Sequence, residues 1–131
     1  MLLRRQHEVW TFSQSSGKLY KNGEFFACCY SGIGLGLNNP NMQEVKNVGP
    51  LPRGLYRIGP AYDHPHLGPV TMNLEPINGT NTFGRGDFRI HPDSKAKFGQ
   101  YVASHGCIVG MLRAQREAVN NDPDKELEVV L

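Results

Sequence analysis

EVWTFSQSSGKLYKNGEFFACCY, residues 8–30, decides the fold class. Glu8 to Phe12 reads as a short strand with Val9, Trp10 and Phe12 as its apolar members. Gln14-Ser15-Ser16-Gly17 is turn material, and Lys18 to Lys21 is a second short strand. Asn22-Gly23 is a strong hairpin signal, because both residues tolerate positive φ. Glu24 to Tyr30 follows as a third strand, rich in aromatic residues. The first third of the chain is therefore expected to be a β meander.

Working outward, Ser31 to Asn47 holds Gly32, Gly34, Gly36 and Asn38-Asn39-Pro40-Asn41 and reads as a long loop. In VGPLPRGLYRIG, residues 48–59, two prolines set an extended approach, Gly54 turns it, and Leu55 to Ile58 alternates as a strand. Residues 60–69 read as turn-rich. Val70 to Glu75 reads as a strand with Val70, Met72 and Leu74 on one face, and 76–87 as loop again. Phe88-Arg89-Ile90-His91 alternates as a strand and ends at Pro92. Met111 to Asn121 is the one helical segment, with Arg113, Arg116, Glu117 and Asn120 expected to face water and Asp122-Pro123 as its stop. Glu126 to Leu131 is a last strand. The expectation is a mostly β single domain over residues 1–131 with one late α-helix.

Composition agrees. The chain has 131 residues with 15 Gly and 9 Pro, which favours strands joined by turns over a helical bundle. Apolar residues make up 39% and charged residues 20%, a balance that argues against strong disorder and membrane insertion. A net charge of +2, with Arg4-Arg5 the only dense basic pair near a terminus, gives no phosphate-tracking stripe, so nucleic acid is not an expected partner. The start MLLRRQHEVW lacks an apolar h-region and is not read as a signal peptide; synthesis in the cytosol is expected. Three Cys cannot form a complete disulfide framework. Cys28 and Cys29 are neighbours on a strand, so one is expected in the core and one at the surface.

The chemistry concentrates in SHGCIVG, residues 104–110. Gly106 lets the backbone approach a substrate closely. A helix starting near Gly110 would favour a thiolate at Cys107 through its N-terminal dipole, and nearby amides could face a developing oxyanion. A cysteine nucleophile needs a base, and His91 and His105 are the candidates. His105 lies two residues from Cys107 and aligns poorly with the sulfur. His91 ends a separate strand and could sit across the sheet, so His91 is preferred. A backbone carbonyl, Asp93 or Ser104 could orient it. His64, His66, His91, His105 and Cys107 lack zinc-finger or HEXXH spacing, so neither metal nor cofactor is expected. Arg85-Gly86-Asp87, Asn78-Gly79-Thr80 and the Gly32-Gly34-Gly36 run are discounted as chance matches. Arg57, Arg85 and Arg89 are candidates for a carboxylate clamp.

Strand-His followed by Ser104-His105-Gly106-Cys107-Ile108 resembles the catalytic signature of L,D-transpeptidases of the YkuD type. GPLPRGLYRIG is similar to the strand that precedes the catalytic half in that family. WTFSQSSGKLYKNGEFF and the absence of a readable signal peptide look most like the Tlde1 (DUF2778) branch, whose members are antibacterial effectors of type VI secretion. The resemblance spans roughly Trp10 to Val109. It implies an L,D-transpeptidase-like β-sandwich with Cys107 as nucleophile and His91 as general base. Ser104, His105 and Gly106 would be the supporting motif. Arg57 and Arg89 stay, on the residues alone, as candidate substrate contacts. The family's usual Arg or Asn two residues after the Cys is Val109 here.

The activity so implied is acyl transfer on peptidoglycan tetrapeptide stems. Cys107 would displace the terminal D-Ala, and water or a free D-amino acid would resolve the thioester. The implied partners are a cognate immunity protein and a component of the secretion apparatus, with action in the periplasm of target bacteria. Two other readings compete: a housekeeping L,D-transpeptidase forming 3,3 cross-links, and a non-catalytic wall-binding β-domain.

Overall fold

A computed structural model describes residues 9–131. The Arg4-Arg5 pair, Glu8 and most of the stretch read for a signal peptide lie outside the described residues. Nine strands and one α-helix follow in order: β1 Trp10–Ser13, β2 Lys18–Lys21, β3 Glu24–Cys28, β4 Gly54–Ile58, β5 Tyr62–His64, β6 Gly68–Ile77, β7 Arg89–His91, β8 Ile108–Val109, α1 Arg113–Asn121 and β9 Glu126–Val130. The protein is mostly β with a single α-helix among the described residues, as the sequence predicts.

The meander forms as read. Asn22 and Gly23 take φ of 54° and 81°, the left-handed pair that a two-residue hairpin needs. β1 pairs antiparallel with β2, and β2 with β3. β3 stops at Cys28, short of the expected Tyr30. Tyr30 instead exchanges backbone hydrogen bonds with Val109, at 2.7 and 2.9 Å. The expected split of the paired thiols appears in part: Cys28 is exposed at the end of β3, while Cys29, just past it, is half-buried against the core, and burial pushes its thiol up to about 12.

The strands hydrogen-bond in one continuous mixed path, β3-β2-β1-β9-β4-β6-β7-β8, with β5 on the flank of β6. β9 lies between β1, with which it runs parallel, and β4, with which it runs antiparallel. β6 joins the two ends of the path. Its later residues pair with β4, its earlier ones with β5, and Met72 and Asn73 with β7. A single buried cluster includes Trp10, Phe12 and Leu19 of the meander, Tyr56, Met72, Leu74, Ile90 and Ile108 of the other strands, and Val119 of the helix. Residues from both ends of the path therefore share one core, and apolar burial is the main force that unites them.

Three local expectations change. Residues 60–69 contain β5, because Tyr62 to His64 pair with the start of β6. The helix starts at Arg113, two residues later than read, with Gln115 Oε1 accepting a hydrogen bond from Leu112 N at 2.8 Å. Arg116, expected in water, is buried. Its guanidinium donates to the carbonyls of Pro69, Val70 and Met111 at 3.1, 3.1 and 2.7 Å. Val70 has φ 56°, a costly geometry for a β-branched residue, and Arg116 clamps that kink from the helix. No described helix is long and apolar enough to cross a membrane.

Candidate active site

β7 and β8 place the candidate residues. They pair in parallel, Ile90 opposite Ile108 and His91 opposite Val109. Ile90 and Ile108 are both in the core. Side chains alternate along a strand, so Arg89, His91 and Cys107, immediately before β8, project toward the other face. Cys107 and His91 thus stand on adjoining chains, two residues apart in register.

Cys107 lines a cleft of about 390 Å³ with Lys46, Asn47, Gly84, Arg85, Gly86, Asp87, Phe88 and His105. The loops 31–47 and 76–87 both supply walls. The Cys107 thiol donates a weak hydrogen bond to Asp87 O at 3.7 Å. Burial pushes its pKa above the ordinary thiol value and the Asp87 charge adds to this. A backbone hydrogen bond from Arg89 and the charges of Arg89 and Arg85 pull the other way. The expected helix dipole plays no part, because Cys107 leads into β8 and the helix begins only at Arg113. Burial is the largest of these effects and favours the neutral thiol.

His91 is 3% exposed, and burial holds its pKa below the ordinary imidazole value. Its Nδ1 lies 2.8 Å from Pro92 O. A carbonyl only accepts, so Nδ1 carries the proton and Nε2 keeps its lone pair. Of the three orienting groups considered for His91, the neighbouring carbonyl is the one in contact. The His91 ring lines a separate hollow with His66, Pro92, Asp93, Lys95 and Arg113, and no hydrogen bond joins it to Cys107. His105 is the histidine that shares the Cys107 cleft.

The supporting motif has a clear structural basis. Ser104 is fully buried, and its Oγ donates to Cys107 O at 2.6 Å while accepting from Gly32 N at 2.9 Å and Gly106 N at 3.2 Å. Ser31, equally buried, donates to Gly106 O at 3.2 Å and accepts from Leu51 N at 2.9 Å. Two hydroxyls thus tie the 104–107 turn to loop 31–47 from both sides. Gly106 has φ 129°, and an added Cβ would lie 2.6 Å from the Arg85 guanidinium.

The arginines separate into different roles. Arg57 is exposed and 3.8 Å from Glu75. Arg89 Nε donates to Tyr62 Oη and Asn73 Oδ1, both at 3.2 Å. Arg57 and Arg89 line a hollow that shares Asp87 and Phe88 with the Cys107 cleft. Arg85 is not free to act as a carboxylate clamp, because its NH groups are engaged by the carbonyls of Gln43, Gly49, Pro50 and His105. Val109, at the position of the family's Arg or Asn, is fully buried and bonded to Tyr30. Its side chain is sealed away from the cleft. Ser31 and Arg85 were missed as structural members of the site. The only sequence hint was the glycine richness around each. No three His, Cys, Asp or Glu side chains among the described residues are grouped to hold a metal.

Comparison with protein families shows that the model of the Tlde1 domain matches residues 26–130. Comparison with curated proteins gives no match.

Proposed function

The chain belongs to the Tlde1 domain family, a type VI effector family, and from that membership we propose that it is a cysteine-dependent L,D-carboxypeptidase and exchange enzyme acting on peptidoglycan tetrapeptide stems. The observation that carries the reading is Cys107 in an open cleft, two residues in register from a histidine whose Nδ1 is fixed by Pro92 O and whose Nε2 therefore keeps its lone pair.

In the proposed reaction, rotation about the Cα–Cβ bond of Cys107 takes the thiol from Asp87 O toward His91, whose Nε2 accepts the proton. The sulfur attacks the carbonyl carbon of the diaminopimelate residue at its L-centre. The C–N bond to D-Ala breaks, and the leaving amine takes the proton from His91. Water, or the amine of a free D-amino acid, then attacks the thioester and returns the proton to sulfur. The first route trims the stem and the second exchanges its terminal residue. Either removes donor stems from cross-linking in a competitor's periplasm. Arg57 and Arg89, in the adjoining hollow, are the proposed contacts for substrate carboxylates. A cognate immunity protein and a component of the secretion apparatus are the proposed partners.

A second assignment of the base is favoured by one observation: His105, not His91, lines the Cys107 cleft. The test is mass spectrometry of purified tetrapeptide muropeptides incubated with wild type, Cys107→Ala, His91→Gln and His105→Gln, with and without a free D-amino acid. Loss of D-Ala with wild type and His105→Gln, but not with Cys107→Ala or His91→Gln, is the expected result. Activity retained in His91→Gln and lost in His105→Gln would transfer the base to His105. No mass change with folded wild type would refute the enzymatic reading.

A further inference from the structure

Arg85 is a buried cation at the edge of the Cys107 cleft. It is 7% exposed. Its Nη1 donates to Gln43 O and, at 2.8 Å, to Pro50 O; its Nη2 donates to Gly49 O at 2.9 Å and His105 O at 3.3 Å. The guanidinium also sits 5.5 Å from the centre of the Phe88 ring. The ion pairs among the described residues involve Lys21, Arg57 and Arg113 but not Arg85. Four carbonyl dipoles satisfy its donors, yet none supplies a full negative charge. Buried charges are normally paired, so this arrangement is costly unless an anion completes it.

We propose that Arg85 is a positioning residue whose missing counter-ion is the Cys107 thiolate. The inference rests on the reading of Cys107 as nucleophile. Arg85 ties the cleft wall at 43–50 to the carbonyl of His105, and so fixes the backbone that presents the sulfur. The same guanidinium brings a desolvated positive charge to the cleft that Cys107 lines, two residues along the chain from the carbonyl it holds. Other charges face Cys107 as well. Asp87 opposes the thiolate, Arg89 favours it, and Lys46 and His105 line the cleft. Lys46 and Asp87 are exposed and screened by solvent, and Arg89 shares its Nε with Tyr62 and Asn73. Arg85 is the cation held out of water, where charge interactions are strongest. Gly106 follows from the same geometry, since any side chain there would displace the guanidinium.

The experiment is the pH dependence of iodoacetamide alkylation at Cys107, followed peptide by peptide in wild type, Arg85→Gln and Arg85→Lys, each shown to be folded by its melting curve. For Arg85→Gln the midpoint is expected to rise by about one pH unit, with about tenfold slower alkylation at neutral pH. Arg85→Lys restores the charge without the fork, so its midpoint returns toward wild type while turnover on tetrapeptide stems stays low. A measurement on unmodified protein stands beside these. The Arg85 ¹⁵Nε resonance should shift with the Cys107 midpoint, and the shift should vanish in Cys107→Ala. A midpoint unchanged in folded Arg85→Gln, or an Arg85 signal flat through the Cys107 titration, overturns the proposal. Loss of D-Ala from tetrapeptide stems that persists in folded Cys107→Ala would instead refute its role as nucleophile.

Discussion

Replacing Ser104 with alanine removes one hydroxyl and orphans three backbone groups at once. Ser104 Oγ donates to Cys107 O and accepts from Gly32 N and Gly106 N. The site is fully buried, so solvent does not readily replace those bonds. Each buried group left without a partner costs ~1–3 kcal/mol. The three meet at one hydroxyl and relax together, which keeps the total near the low end of their sum, ~3 kcal/mol. At ~2.1 cal/mol/K per residue, a chain of this length loses about 11 °C of Tm for that energy. Thermal unfolding by circular dichroism reads the shift. Amide hydrogen exchange at Gly32 and Gly106 reads its location, and both amides should lose protection ahead of the core strands. A drop below about 3 °C, with protection at both amides intact, would refute the view that this hydroxyl joins the turn to loop 31–47.

Gly32→Ala should be worse tolerated than most surface changes. Its Cβ would sit 2.2 Å from Gly36 O at φ 92°, so a loss above ~2 kcal/mol is expected in urea unfolding. Tyr30→Phe removes the hydrogen bonds of Tyr30 Oη with Asp93, at 2.7 Å, and Ala103 N, at 3.1 Å. It should cost ~1–2 kcal/mol and speed tryptic cleavage after Lys95 and Lys97. His91 is held below its ordinary pKa, chiefly by burial, so the unfolded chain binds that proton more readily. The stability from keeping His91 neutral is present above its unfolded value of about 6.5 and is lost as pH falls through the folded value. His91→Gln should therefore flatten the decline of Tm between pH 7 and pH 5.

Strands with alternating apolar residues and clear turn chemistry were legible in the sequence. Asn22-Gly23 set the first hairpin, and Val70, Met72 and Leu74 emerged on the buried face of β6. His91 was read at the end of its strand, and β7 ends there. What could not be read depended on distant partners. Ile108-Val109 looks like the approach to a helix, and only pairing with β7 and Tyr30 makes it a strand. Arg85 and Arg116 have the local surroundings of surface residues. They are buried because carbonyls from loops far away in sequence turn toward them. A hydrophobic pattern carries no signal for a cation satisfied in that way. The sequence offered His105 as a candidate base and set it aside for its closeness to Cys107, while the fold puts it in the same cleft.

The position of β9 constrains the order in which this molecule can assemble. Residues 126–130 lie between the meander and the half of the sheet that bears Cys107 and His91. On a ribosome, the hairpins of β1–β3 and the β4–β6 pairing can begin as they emerge, but the strand that joins them is synthesised afterwards. Until it inserts, β1 and β4 present open edges and the common core is divided. Closure demands contacts across more than 100 residues of chain, such as Trp10 with Leu127. Loop-closure entropy makes that a slow step. The Cys107 cleft therefore gains its full support only after nearly the whole chain has been made. A polypeptide interrupted before β9 retains the Cys107 sequence without the sheet that positions it.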